Sequence, residues 1–190
     1  MTEPGAPAPK PRWLELTVGA AVLALALVTG ARDLGLGIDN WDSFNAVTPG
    51  DPLPAFEVEL DDGTPLRPAD FEGQVSMLTF WATWCHACDL EMPTIVALDA
   101  HYGEDLQVYG VNRDSADDPR ARRAMVEAHA AAKGMDFAQI YDDGTLAAAF
   151  GVERIPYMVL VDKRGEIRHL HLGRVSERTL RSEIDGLLAE

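Results

Sequence analysis

The sequence predicts a protein of the α/β class, one domain behind a single transmembrane helix. Three observations carry that reading. Short β-rich apolar runs alternate with helically periodic segments from residue 55 to the end, an almost uncharged apolar stretch lies near the amino terminus, and the only two cysteines stand where a strand run gives way to a helix. The 190 residues suit one core, and a chain that is 47% hydrophobic and 25% charged can build it without metals or structural disulfides. A formal net charge of −15 excludes nucleic-acid binding, which depends on basic groups displacing counterions.

Residues 1–12, MTEPGAPAPKPR, form a Pro-rich tail. Residues 13–31, WLELTVGAAVLALALVTGA, carry one charge, Glu15, and show no polar face that would suit a buried core helix. About 18 uncharged residues rise roughly 27 Å as a helix, enough to cross a hydrocarbon layer of about 30 Å. The stretch reads as a retained anchor or as a cleaved signal peptide, for which Thr29-Gly30-Ala31 is a mediocre cleavage match. Lys10 and Arg12 precede it, whereas Arg32 is followed at once by Asp33, so the tail is expected in the cytoplasm. Both readings put the remainder in the periplasm or an equivalent space, where disulfide chemistry occurs; retention makes the protein single-pass in the cytoplasmic membrane. Residues 32–54 are rich in Gly, Pro, Asp and Asn and read as a linker, with Trp41 and Phe44 available for packing.

Residues 55–190 form the domain. Alternation over Phe56-Glu57-Val58-Glu59-Leu60 ahead of Asp61-Asp62-Gly63-Thr64 predicts a strand and tight turn, hence an opening hairpin. Val75 to Ala82 is too short for a helix and rich in β formers, as in a buried central strand. Leu90, Ile95, Val96, Leu98 and Tyr102 then recur at helical spacing, with Pro93 expected to kink the helix. Leu106–Val111 is the next strand, and residues 119–132 are a helix with Pro119 in its first turn behind Asp117 and Asp118. A strand over 137–141, a short helix over 145–150 and strands over 157–162 and 167–172 follow. Ser176 caps a last helix that sets Val175, Leu180, Ile184 and Leu187 on one face.

The chemistry lies in Cys85-His86-Ala87-Cys88. A thiol exchanges disulfides as its thiolate, and a helix amino terminus stabilises that anion through unpaired N–H groups and its dipole. Cys85, at the exposed start, is expected to attack, and the more shielded Cys88 to resolve the mixed disulfide. A structural zinc site needs four ligands, and no further cysteine exists. A disulfide closing so short a loop constrains the chain little, so a purely structural bridge is disfavoured.

The run Thr79-Phe80-Trp81-Ala82-Thr83-Trp84-Cys85-His86-Ala87-Cys88-Asp89-Leu90-Glu91-Met92-Pro93 resembles the active-site segment of the TlpA/ResA branch of thioredoxin-like proteins, membrane-tethered thiol–disulfide oxidoreductases of bacteria. The resemblance extends through Gly110-Val111-Asn112, Tyr141-Asp142-Asp143-Gly144, Phe150-Gly151-Val152 and Ile155-Pro156. It implies a thioredoxin fold, three-layer α/β/α, with an amino-terminal β-hairpin and a central insertion. It gives Pro156 the role of a cis-proline facing the cysteines and Ile155 that of a backbone contact for an extended client. Where thioredoxins carry a buried strand aspartate this chain has Thr79, and the family resemblance assigns the resolving proton to Glu91 instead. Three residues beyond Cys88, Glu91 shares its helical face, and burial there is expected to raise its pKa.

His86 departs from the commonest family loops; as an imidazolium beside Cys85 it would favour the thiolate, while Ala87 stands where strong oxidants carry histidine. Trp84 is expected to shape the rim that clients meet. The implied partners are cysteine-containing clients, typically the haem-binding cysteines of apocytochromes c or copper-site cysteines of an oxidase, with a membrane thiol carrier as electron donor. No cofactor beyond the redox-active disulfide is expected in the oxidoreductase reading. An alternative reading makes Cys85 and Cys88, with His86, a Cu(I) chaperone site, since thiolates suit that soft ion. A peroxidase reading finds only Thr83 and Cys85 in its favour. His169 and His171 alternate on one strand face and are read as solvent-facing, with no metal site expected.

Overall fold

The computed structural model describes residues 47–190. The tail, the apolar segment at 13–31 and the linker through residue 46, including Trp41 and Phe44, lie outside the described residues. Among the described residues no helix is long and apolar enough to cross a membrane.

The described residues form, in chain order, β1 (Val58–Glu59), β2 (Pro65–Leu66), β3 (Val75–Trp81), α1 (His86–Tyr102), β4 (Leu106–Asn112), α2 (Pro119–Lys133), β5 (Ala138–Tyr141), α3 (Thr145–Ala149), β6 (Tyr157–Val161), β7 (Ile167–Leu172) and α4 (Glu177–Leu188). β1 and β2 pair as an antiparallel hairpin, and the other strands form a sheet in the order β5-β4-β3-β6-β7. β3 runs parallel to β4 and antiparallel to β6, with β5 parallel to β4 and β7 antiparallel to β6. Between β4 and β6 the chain inserts α2, β5 and α3, so the insertion supplies one edge of the sheet.

Side-chain alternation along the strands divides the core in two. Val75, Met77 and Trp81 of β3 pack, with Val108 and Leu160, against Ile95 and Leu98 of α1, Val126 of α2 and Leu180 and Ile184 of α4. Leu78 and Phe80 face the other way, into Phe56, Phe71, Val111, Leu146, Phe150 and Val159. Helices thus cover both faces, and every residue of β3 is buried. A strand buried on both sides reads as one continuous apolar run, which is why Val75–Ala82 shows no polar alternation.

α2 begins at Asp118, whose side chain accepts from the Arg120 N–H, and ends at Gly134, whose left-handed φ of 69° favours glycine. Ser176 caps α4 by accepting from the Thr179 N–H. Pro93 lies inside α1, yet the helix is assigned unbroken from His86 to Tyr102. An interior proline costs about 3 kcal/mol, and burial of Met92, Ile95 and Leu98, about 2 kcal/mol for each side chain, offsets it.

Residues 47–54, within the stretch read as linker, are docked on the sheet. The Gly50 N–H donates to the Ile167 carbonyl at 2.7 Å, Ile167 N–H returns a bond to Asp51 at 2.8 Å, and Leu53 is buried. The start of β7 offers free backbone groups there, and pairing them satisfies an otherwise open edge.

Candidate active site

β3 delivers the cysteine motif to the carboxyl end of the parallel strands. There the Cys85 N–H closes a tight turn on the Ala82 carbonyl at 3.1 Å. Thr83 is held from both its atoms: its N–H donates to Asp114 Oδ2 at 2.8 Å and its hydroxyl to Asp114 Oδ1 at 2.7 Å. The hydroxyl that a peroxidase reading would require beside Cys85 is thus committed to Asp114. Cys85 is the N-cap of α1, with extended backbone, and its sulfur accepts from the Cys88 N–H at 3.2 Å. Cys85 and Cys88 are joined by a disulfide with an S–S distance of 1.98 Å and Cα atoms 5.3 Å apart. On reduction the same N–H and the helix dipole act on the Cys85 sulfur, which favours its thiolate.

The expected difference in shielding between the sulfurs is small. Cys85 is 6% exposed and Cys88 1%, so the first cysteine is also largely enclosed, and both belong to the buried cluster that holds Trp81, Ala82, Met92 and Met158. The exposed part of the rim is Trp84, at 68%, followed by His86 and Ala87.

Glu91 is buried, and its Oε1 accepts from the Val175 N–H at 2.9 Å, in the loop between β7 and α4. Burial pushes its carboxyl above the ordinary range, against the opposing pull of that hydrogen bond and of the nearby Arg174 and His171. A first-turn acid facing solvent is thus not what this residue is. Thr79, at the position of the missing strand acid, is buried on the same side of β3 as Trp81.

The Ile155–Pro156 peptide is cis. Pro156 is buried and its carbonyl accepts from the Gly173 N–H at 2.8 Å, whereas the N–H and C=O of Ile155 bond to no other described backbone group. Those free groups are what an extended client strand would pair with. Trp84, Arg113, Glu153, Arg154 and Ile155 line an open depression of about 380 Å³ beside the cysteines.

Trp81 is held by two neighbours, one of which is itself packed on Gly110. Its indole N–H donates to Gln139 Oε1 at 3.1 Å, its ring lies 5.5 Å from His129, and the Gln139 carboxamide lies over Gly110, where a Cβ would collide with it. His129 in turn bonds Asp89 at 2.8 Å, and Lys133 reaches the other oxygen of Asp89 at 3.1 Å. Burial pushes the Asp89 carboxyl up, but the bonds from Lys133 and His129 outweigh it and leave it below the ordinary range.

The structure corrects the reading of His169 and His171 as solvent-facing. α4 lies over that face: His171 Nε2 is 2.8 Å from Glu183 Oε2 and His169 Nδ1 3.5 Å from Oε1, with the rings parallel and 6.4 Å apart. The two rings share one carboxylate, which gives them a partner other than water or metal. Among the described residues, no group of three or more histidine, cysteine or acidic side chains is placed to hold a metal ion.

Sequence reasoning named Cys85, Cys88, Glu91, Trp84, His86, Ile155 and Pro156. It missed Asp114, Arg113, Arg154 and the set Gln139, His129 and Asp89. A signal existed for Asp114: Asn112-Arg113-Asp114 is a polar run directly after a buried parallel strand, at the sheet end where ligand sites of α/β proteins gather.

Residues 49–170 match the model of the AhpC/TSA family. The thiol:disulfide interchange protein DsbE of Pseudomonas aeruginosa is 33% identical over 138 residues, covering 71% of this chain and 72% of that protein. The thiol-disulfide oxidoreductase ResA of Geobacillus thermodenitrificans is 27% identical over 144 residues, 75% of this chain and 79% of that one. Among solved structures, a thio-disulfide isomerase from Thermus thermophilus superposes with a TM-score of 0.62 at 27% identity, over 74% of this chain and 97% of its own.

Proposed function

The chain belongs to the AhpC/TSA family and is a thiol–disulfide oxidoreductase of the DsbE/ResA type, and from that premise we propose that it reduces disulfides in client proteins outside the cytoplasm. The observation that carries the proposal is the arrangement around the disulfide: a capped Cys85 sulfur, a deeper Cys88 and a buried Glu91 one helical turn further on.

In the reduced protein the Cys85 thiolate attacks a client disulfide. The client S–S bond breaks, a mixed disulfide forms, and one client sulfur leaves as thiolate. Cys88 then gives its proton to Glu91 and attacks the Cys85 sulfur, which frees the second client thiol and leaves the Cys85–Cys88 bond. Two electrons pass from the protein to the client, and Glu91 releases its proton towards the departing thiolate. Trp84 and His86 meet the client from the exposed rim, and the Ile155 backbone beside Pro156 pairs with its extended chain.

The apolar segment at 13–31 supports a tethered, periplasm-facing protein, recharged by a membrane thiol carrier. Apocytochrome c and oxidase copper-site cysteines are the client classes that this placement and the DsbE and ResA likeness favour. Trapping tests the proposal: Cys88→Ser should hold clients as mixed disulfides in the native membrane fraction, identifiable by mass spectrometry. A trap that captures no cysteine-paired secreted protein, while the wild type still reduces a model disulfide, would remove the client assignment and leave the chemistry standing.

A further inference from the structure

Besides Glu91, a second acid is buried against the loop that leads into Cys85. Asp114, just beyond β4, is 4% exposed. Its two oxygens accept three hydrogen bonds, from the Thr83 N–H, the Thr83 hydroxyl and Asn112 Nδ2 at 2.8, 2.7 and 2.7 Å. Asn112 is itself wholly buried, and its own Oδ1 accepts from the Asp114 N–H at 3.1 Å, which fixes the pair from both ends. Both side-chain oxygens of Asp114 serve as acceptors in these bonds. None of the ion pairs among the described residues includes it. Arg113 spends a guanidinium nitrogen on the Val152 carbonyl and Arg122 one on the carbonyls of Asn112 and Asp142, so both cations face other partners.

We infer that Asp114 is a positioning and tuning residue for the dithiol: it clamps the loop that presents Cys85, and its buried charge opposes the Cys85 thiolate, biasing the protein towards giving electrons. The clamp acts inside the turn closed by Cys85 N–H on Ala82. Two peptide units separate Thr83 from Cys85, at most about 7 Å of chain, and with the hydrogen bond and the Cys85 side chain added the carboxylate lies within roughly 14 Å of the sulfur. At that range, with an effective dielectric constant of about 20, one charge shifts a neighbouring ionisation by about one pKa unit, or tenfold. A destabilised thiolate makes the reduced form less stable and the couple more reducing. The inference rests on the dithiol chemistry alone and is independent of which client is served.

The test is redox equilibration of the purified full-length protein against glutathione, with thiolate formation at Cys85 followed by ultraviolet absorbance. Asp114→Asn should shift the equilibrium about tenfold towards the dithiol, about 30 mV for a two-electron couple, and lower the Cys85 pKa. Asp114→Ser removes the same charge and leaves room for water at Thr83, so it serves if the amide variant does not fold. Asp114→Glu keeps the charge and should stay within threefold of wild type, as should Thr83→Val, which loses only the hydroxyl contact. An unchanged equilibrium in both neutral variants, or an equal shift in Thr83→Val, would overturn the tuning role.

Discussion

Replacing Glu91 by Gln removes the proposed proton acceptor with little change of shape, and the expected consequence follows from the burial of both partners. Glu91 is 2% exposed and Cys88 1%, so bulk water reaches the resolving thiol poorly. A thiol of ordinary pKa near 8.5 is only about 3% ionised at pH 7, and enclosure among apolar groups lowers that fraction further. Loss of the acceptor should therefore slow resolution by about 30- to 100-fold at pH 7, up to the lower bound of what a positioned general base contributes. The pH dependence should change shape as well. In wild type the step falls off on the acid side as Glu91 takes up its proton, at a value that burial has raised. In Glu91→Gln that acid limb disappears and the rate climbs with pH as Cys88 ionises unaided. Rapid-mixing fluorescence reads the step directly, because Trp81 and Trp84 flank the cysteines. A Glu91→Gln profile that superimposes on wild type across pH 5–9 would refute the reasoning.

Further outcomes follow from the same geometry. Because the folded carboxyl of Glu91 lies above its reference of 4.5, the native state keeps a proton that the unfolded chain has released, and stability is lost as pH rises through that window. Urea unfolding of the oxidised proteins should therefore show Glu91→Gln gaining on wild type between pH 4 and pH 7, and a relative loss would contradict the burial account. Asp89 has the opposite sign: its folded value lies below 3.8, so its contribution is present above that pH and lost on acidification through the lowered value. Asp89→Asn should cost under about 1 kcal/mol at pH 7, with a smaller difference near pH 3; a difference that grows on acidification would argue against the ion pairs. Gly110→Ala pushes the Gln139 carboxamide off the Trp81 indole and should cost about 1–3 kcal/mol, seen as a lower melting temperature with altered tryptophan emission. Trp84→Ala should leave melting unchanged yet cut kcat/KM for protein clients about tenfold, as for an exposed aromatic anchor; equal loss with a small dithiol substrate would place the defect in the chemistry instead.

The elements of the fold and the residues of the candidate site were legible in the sequence to different depths. β3 could be read because a strand buried on both faces leaves an uninterrupted apolar run, and the cysteines because they are the only pair in the chain. Helical spacing placed Glu91 on the face of Cys88 and the family resemblance gave it an expected role, although its Val175 partner, 84 positions away, was not legible. Contacts that close over long separations leave no local pattern: the Thr83 to Asp114 clamp and the Trp81 to Gln139 bond join segments 31 and 58 residues apart. The pairing of His169 and His171 with Glu183 was misread for the same reason, since nothing in the strand says which helix will cover it. Residues 47–54 looked like linker because Gly50, Pro52 and Pro54 break every period, while their docking depends on an edge strand more than a hundred residues later.

The division of labour between the cysteines is the central claim, and brief alkylation of the reduced protein tests it most directly. Iodoacetamide added for seconds at pH 6.5, followed by mass-spectrometric mapping, should label Cys85 at least about tenfold faster than Cys88, as expected for a sulfur at the helix start that accepts the Cys88 N–H. Labelling of Cys88 at an equal or greater rate would contradict the account.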